Sequence, residues 1–98
     1  MAASEASPVF LYKHSTVCPV SGAALQRLRA FLKQAPPGTP EVLMVKVIES
    51  RPVSNAIART LGVKHESPQL ILVRDRRAAW SASHHAITGD AILSALSP

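Results

Sequence analysis

The spacing of apolar positions changes several times along the chain, and each change marks an element. In "PVFLYK", Pro8 to Lys13, they run together with two aromatics, the composition of a buried strand. After a loop through "STV", Leu25, Leu28 and Leu32 recur at helical spacing with Ala24 and Phe31 beside them. Gln26, Arg27, Arg29 and Lys33 take much of the remaining surface, so an amphipathic helix opens at Cys18 and is stopped by "PPGTP" at residues 36–40. Pro19 suits its first turn, where an amide hydrogen would lack a partner anyway. "EVLMVKVIE" predicts a second strand, apolar enough to be covered on both faces. Ser50 as cap, Pro52 in the first turn and Gly62 at the C-terminal end frame a second helix with Val53, Ile57 and Leu61 inward. "QLILVRD" predicts a third strand and "RR" a tight turn. "AAWSASHH" then predicts a fourth strand alternating Ala79, Ser81 and Ser83 against Trp80 and Ala82. Thr88 caps a terminal helix with Ile92, Leu93 and Leu96 apolar.

The order is therefore β-α-β-α-β-β-α. The first two strands, joined through a helix, should be parallel, and the last two an antiparallel hairpin. That is an α/β fold, a four-stranded mixed sheet with helices on both faces. A chain of 98 residues supports one such core, so residues 1–98 read as a single domain with residues 1–7 a loose tail.

Composition narrows the classes. With 47% hydrophobic and 17% charged residues the chain is globular rather than disordered. Its apolar runs are too short to span a bilayer, so no membrane partner is expected. "MAASEASP" has neither the basic start nor the apolar centre of a secretory signal. One cysteine permits no internal disulfide, which points to a cytoplasmic protein. A net charge of +5 favours anionic partners, yet only "RDRR" at residues 74–77 is dense and four aromatics offer little for base stacking. Nucleic acid is accordingly not the expected partner.

The histidines do not build a metal site. His84 and His85 are adjacent and would point to opposite faces of a strand, while the loop after His14 breaks its i, i+4 relation to Cys18. His65 has no partner motif, and CxxC and HExxH are both absent.

The candidate chemistry is Cys18. It falls where a loop leaving a strand enters a helix, and unpaired amide hydrogens there favour thiolate over thiol. Lys13, His14 and the hydroxyls of Ser15 and Thr16 are close in sequence and could add to this. A thiolate is the nucleophilic form, so the position suits disulfide exchange. A lone cysteine is also compatible with a small buried hydrophobe. For Lys13 the residue pattern favours a solvated charge at a strand end.

"CPVS" at a strand-to-helix turn in this element order resembles the thioredoxin-like superfamily, whose C-x-x-C or C-x-x-S motif opens the first helix. "ESPQLILV" places Pro68 just before the third strand, where that superfamily carries a cis-proline facing the active cysteine. The longer string "YKHSTVCPVS", together with "ESPQ", resembles the YtxJ-like monothiol bacilliredoxins over essentially the whole chain. Val17 fills a variable place in that pattern. The resemblance implies a monothiol thiol-disulfide oxidoreductase, slow and dependent on an external thiol, that removes bacillithiol from S-bacillithiolated client proteins. Bacillithiol is then a co-substrate, with no tightly bound cofactor. Cys18 would attack, with Pro19 and Ser21 completing the motif. Ser21 lies on the same helix face and can donate a hydrogen bond to the thiolate, or simply pair with nearby backbone. Ser67 and Pro68 would offer a backbone edge to substrate, and Thr16, Lys13 and His14 would flank it, Lys13 as the nearest base for bacillithiol carboxylates. Monothiol glutaredoxins that share an iron–sulfur cluster resemble C-G-F-S; Pro19 stands where they have glycine, which speaks against a cluster. A different class stays open, a non-turnover redox sensor or adaptor whose cysteine is merely thiolated.

Overall fold

The computed structural model describes residues 8–15, 19–47 and 50–96, with the side chains of residues 19 and 20 outside that description. Strand β1 (Val9–His14) leads through helix α1 (Pro19–Lys33) to β2 (Glu41–Lys46), and through α2 (Arg51–Leu61) to β3 (Gln69–Arg74). Strand β4 (Arg77–Ser83), one 3₁₀ turn (His84–Ala86) and α3 (Gly89–Leu96) follow. The strands lie in the order β2-β1-β3-β4, with β1 parallel to β2 and antiparallel to β3, and β4 antiparallel to β3. This is the expected mixed sheet.

The period of two along β1 and β3 divides the core. Phe10, Tyr12, Leu70 and Leu72 face α1 and α3, where Ala24, Leu28, Ile87 and Ile92 meet them. Val9, Leu11, Ile71 and Val73 face α2 and close on Ile57, with Val45 from β2. Helices thus cover both faces. Among the described residues no helix is long and apolar enough to cross a membrane.

The hairpin turn puts Asp75 at φ 50° and Arg76 at φ 65°. Positive φ at both central residues is what a two-residue hairpin needs to match the twist of its strands. In β4, Trp80 lies opposite Leu72 and Ala78 opposite Val73, leaving Ala79 as an extra residue at a bulge. Trp80 and Ala82 therefore pack on the α1 side as the alternation predicts, while Ala78 packs on the α2 side.

Three expectations change. Val53, expected on the inward face of α2, is 53% exposed, and Ser54 and Ile57 are the buried positions of that helix. Strand β2 is an edge, and Leu43 and Met44 remain 38% and 45% exposed. Its apolar run looks like a strand covered on both faces, but only Val45 lies under α2. The fourth strand stops at Ser83. His84 has φ 54° and turns the chain out of the sheet, so His84 and His85 are exposed on a 3₁₀ turn rather than facing opposite sides of a strand. Arg27 of α1 holds this turn, donating to the carbonyls of Ile87 (2.7 Å) and His84 (3.1 Å).

Both helix caps named from the sequence occupy their positions, and they differ in chemistry. The Thr88 hydroxyl accepts the Ala91 amide at 3.1 Å, whereas Ser50 makes no side-chain cap bond. Gly62 closes α2 at φ 66°, and its amide donates to the Ala58 carbonyl. Thr88→Ala is expected to lower unfolding free energy by about 1 kcal/mol, and Ser50→Ala to leave it within about 0.5 kcal/mol. Urea titrations of the two variants check the contrast.

Candidate active site

The site is built at the C-terminal end of β1. Tyr12 points to the α1 face, and its hydroxyl donates to the Ser21 carbonyl at 2.9 Å, fixing the first turn of α1 on the central strand. The phenol has one proton, so toward His14 Nδ1, 3.5 Å away, its oxygen can only accept. The two rings tilt against each other at 5.8 Å. The His14 carbonyl in turn accepts the Val47 amide at 2.9 Å, tying β1 to the end of β2.

Ser21 has no exposed surface. Its Oγ accepts the Ser15 amide at 3.3 Å and lies 3.5 Å from Ser67 Oγ. Ser67 precedes Pro68 across a cis peptide bond, and the Pro68 carbonyl accepts the His84 amide at 3.0 Å. The loop leaving β1 and the first turn of α1, close in sequence, therefore meet the distant segment at the start of β3. Of the residues named from the sequence, Ser21, Ser67 and Pro68 come together and His14 stands beside them. Pro19 opens the helix. Cys18 and Thr16 lie outside the described residues.

Lys13 departs from both readings of it. Next along β1 after Tyr12, it projects to the opposite, α2 face, and it is wholly buried. Its Nζ donates to the Ser54 carbonyl at 3.1 Å and to His65 Nδ1 at 3.2 Å. It is not a solvated strand-end charge, and an ammonium with no open surface does not meet a carboxylate from solution. Burial lowers its proton affinity below the ordinary lysine value. His65 is lowered as well, by burial first and then by the charges of Lys13 and Arg51, with Glu66 acting the other way. Gln69, the register partner of Lys13, donates through Nε2 to the Lys64 carbonyl at 2.9 Å, while its buried Oε1 has no partner among the described residues.

Tyr12, Ser54, His65 and Gln69 were not singled out by sequence reasoning for these roles. The alternation of β1 was a usable signal for Tyr12, since it puts that ring on the face of the amphipathic helix. Nothing local announces Ser54 and His65, because their contacts to Lys13 span 41 and 52 residues. Among the described residues no three His, Cys, Asp or Glu side chains are grouped to hold a metal ion.

The model of the monothiol bacilliredoxin BrxC family matches residues 1–92. The chain belongs to that family. A solved structure described as a putative oxidoreductase with a thioredoxin fold is 29% identical, with a TM-score of 0.86 over 98% of this chain and 84% of the other. "Structure of a malarial protein" matches at 17% identity and TM-score 0.66, covering 91% and 92% of the two chains. Trxlp from Edwardsiella tarda EIB202 matches at 21% and 0.64, covering 99% and 88%. The last two show the fold alone. Family and fold together make this bacilliredoxin-family chain a thioredoxin-like protein of redox type.

Ser21→Ala leaves the buried Ser15 amide without an acceptor and is expected to cost about 1–3 kcal/mol, while Tyr12→Phe removes one hydrogen bond and should cost about 1 kcal/mol. Denaturant unfolding of both variants checks the order. The lowered proton affinity of His65 also has a sign: the unfolded chain binds more protons, so this contribution is complete above pH 6.5 and fades as pH falls through that value. Unfolding midpoints should drop more between pH 7.5 and 5 in the parent than in His65→Asn.

Proposed function

We propose that the protein is a monothiol thiol-disulfide oxidoreductase that strips bacillithiol from mixed disulfides on client proteins. The observation that carries this reading is the family match over residues 1–92, a span that includes Cys18, the one cysteine of the chain, and the start of α1. The first amides of a helix have no intrahelical acceptor and favour negative charge, which supports Cys18 as a thiolate.

The reaction then needs few groups. The Cys18 thiolate attacks the bacillithiol sulfur of the mixed disulfide, the client sulfur leaves with the electron pair of the broken bond, and it takes a proton to become a thiol. The adduct stays on Cys18. Ser21 supplies a hydroxyl and no sulfur, so nothing on the helix displaces the adduct, and a second thiol from solution must attack it to return Cys18 to the thiolate. Ser67 and Pro68, next to Ser21, provide the adjoining backbone against which substrate rests. Bacillithiol, its carboxylates and bacillithiolated clients enter as substrates. The thiol's carboxylates are met by side chains other than the buried Lys13.

The test is intact-mass spectrometry of the reduced protein after treatment with bacillithiol, glutathione and coenzyme A disulfides, followed by release from a bacillithiolated model protein. One adduct on Cys18 and many equivalents of client thiol released per protein are expected, with bacillithiol the fastest. Release stopping at one equivalent would instead make the protein a sensor. Cys18→Ser should abolish release while Ser21→Ala retains a substantial part; equal loss in both contradicts the scheme. The pH midpoint of Cys18 alkylation should fall below about 8.5, the unperturbed thiol value.

A further inference from the structure

Lys13 is a buried cation that the exchange chemistry does not use. Taking an ammonium out of water is costly unless a partner charge or full hydrogen bonding offsets it. Among the described residues Lys13 has no carboxylate partner; its contacts are the Ser54 carbonyl and His65 Nδ1. An ammonium has donors only, so the Nδ1 that receives it must be bare. Ser54 Oγ, 3.3 Å from the same nitrogen, shares that lone pair. Facing an ammonium, His65 is therefore the neutral imidazole with its proton on Nε2, and the residue is exposed.

This contact has a consequence at the site. Lys13 and Gln69 are register partners on β1 and β3, and together they hold the segment between α2 and β3: Lys13 by the His65 ring, Gln69 by the Lys64 carbonyl. Two residues beyond His65, Ser67 Oγ stands 3.5 Å from Ser21 Oγ.

We propose that Lys13 is a positioning residue, which through neutral His65 fixes the segment carrying Ser67 and Pro68 over the first turn of α1 and loses that hold when His65 is protonated. The inference rests on the reading of Cys18 as the exchanging thiol. Protonation turns Nδ1 from acceptor to donor and sets two cations 3.2 Å apart. The groups acting on His65 are Lys13 from β1, Arg51 and Ser54 from α2, and Glu66 from its own segment. Lys13 and Arg51 oppose protonation and Glu66 favours it. The balance, with burial, lowers the proton affinity, so the hold is intact at neutral pH and fails as pH falls below the ordinary histidine range.

The experiment compares the parent chain with Lys13→Met and His65→Asn, whose side-chain oxygen can accept in place of Nδ1 without titrating. Exchange with a bacillithiolated model protein is followed from pH 5 to 8, normalised to the thiolate fraction from Cys18 alkylation in each variant. The parent should lose about a further tenfold on acidification beyond that fraction. His65→Asn should lack this extra acid limb, and Lys13→Met should be about tenfold slower at pH 7.5, without the limb and with an unfolding midpoint no lower than the parent's. An acid limb that persists in His65→Asn, or a Lys13→Met rate within twofold of the parent, overturns the proposal. A turnover-free reading separates it from failure of the exchange assignment. In ¹⁵N spectra the Ser67 amide should shift with the His65 titration in the parent and not in Lys13→Met. If no exchange occurs at any pH the proposed activity fails, and this spectrum still decides whether Lys13 holds the segment. A Ser67 amide that ignores His65 in the parent overturns the hold.

Discussion

The pleat at the end of β1 sends consecutive side chains to opposite faces, and the site is assembled around that divergence. Tyr12 goes toward α1 and bonds the Ser21 carbonyl; Lys13 goes toward α2 and bonds the Ser54 carbonyl and His65. Both residues sit on a buried inner strand, paired with β2 on one side and β3 on the other, so the backbone from which these contacts start is held in place. The first turn of α1 and the segment before β3 are thereby referred to the same two residues. Packing alone would not do this, since apolar contact is without direction while each of these hydrogen bonds has one acceptor position.

The two faces carry different electrostatics. On the α1 face the described groups hydrogen-bonded to Ser21 are a phenol, a serine hydroxyl and a backbone amide. On the α2 face an ammonium is buried beside an imidazole, with Arg51 close enough to act on it. The frame of hydrogen bonds to Ser21 holds the backbone around α1, and its described members include no carboxylate. The cation behind the sheet then acts through position, and its own cost is borne by the α2 face.

Edges explain the places where the fold departs from its sequence pattern. Leu43 and Met44 look like core residues, but β2 pairs on one side only, and α2 reaches it only at Val45. Strand β4 closes the other edge. Its bulge at Ala79 lets Ala78 and Trp80 each keep the face of its partner on β3, and its end at Ser83 follows from the turn that Arg27 holds. Strand order is a global property, and an apolar hexapeptide carries the same letters at the centre of a sheet and at its edge.

By itself the sequence determined what is local or nearly so. The order of elements, the parallel and antiparallel pairings, the helix stops at "PPGTP" and Gly62, the Thr88 cap and the string "KHSTVCPVS" with "ESPQ" are set by spacing, turn chemistry and short-range sterics, and they led to the fold and the family. Only the tertiary structure decided that Ser21 meets Ser67, that Lys13 is buried rather than solvated, and that Ser54, His65 and Gln69 surround it. A lysine at a strand end has the same letters whether water or a helix lies beyond it. What differs is a contact made across more than forty residues, which no local pattern of apolar and polar positions encodes.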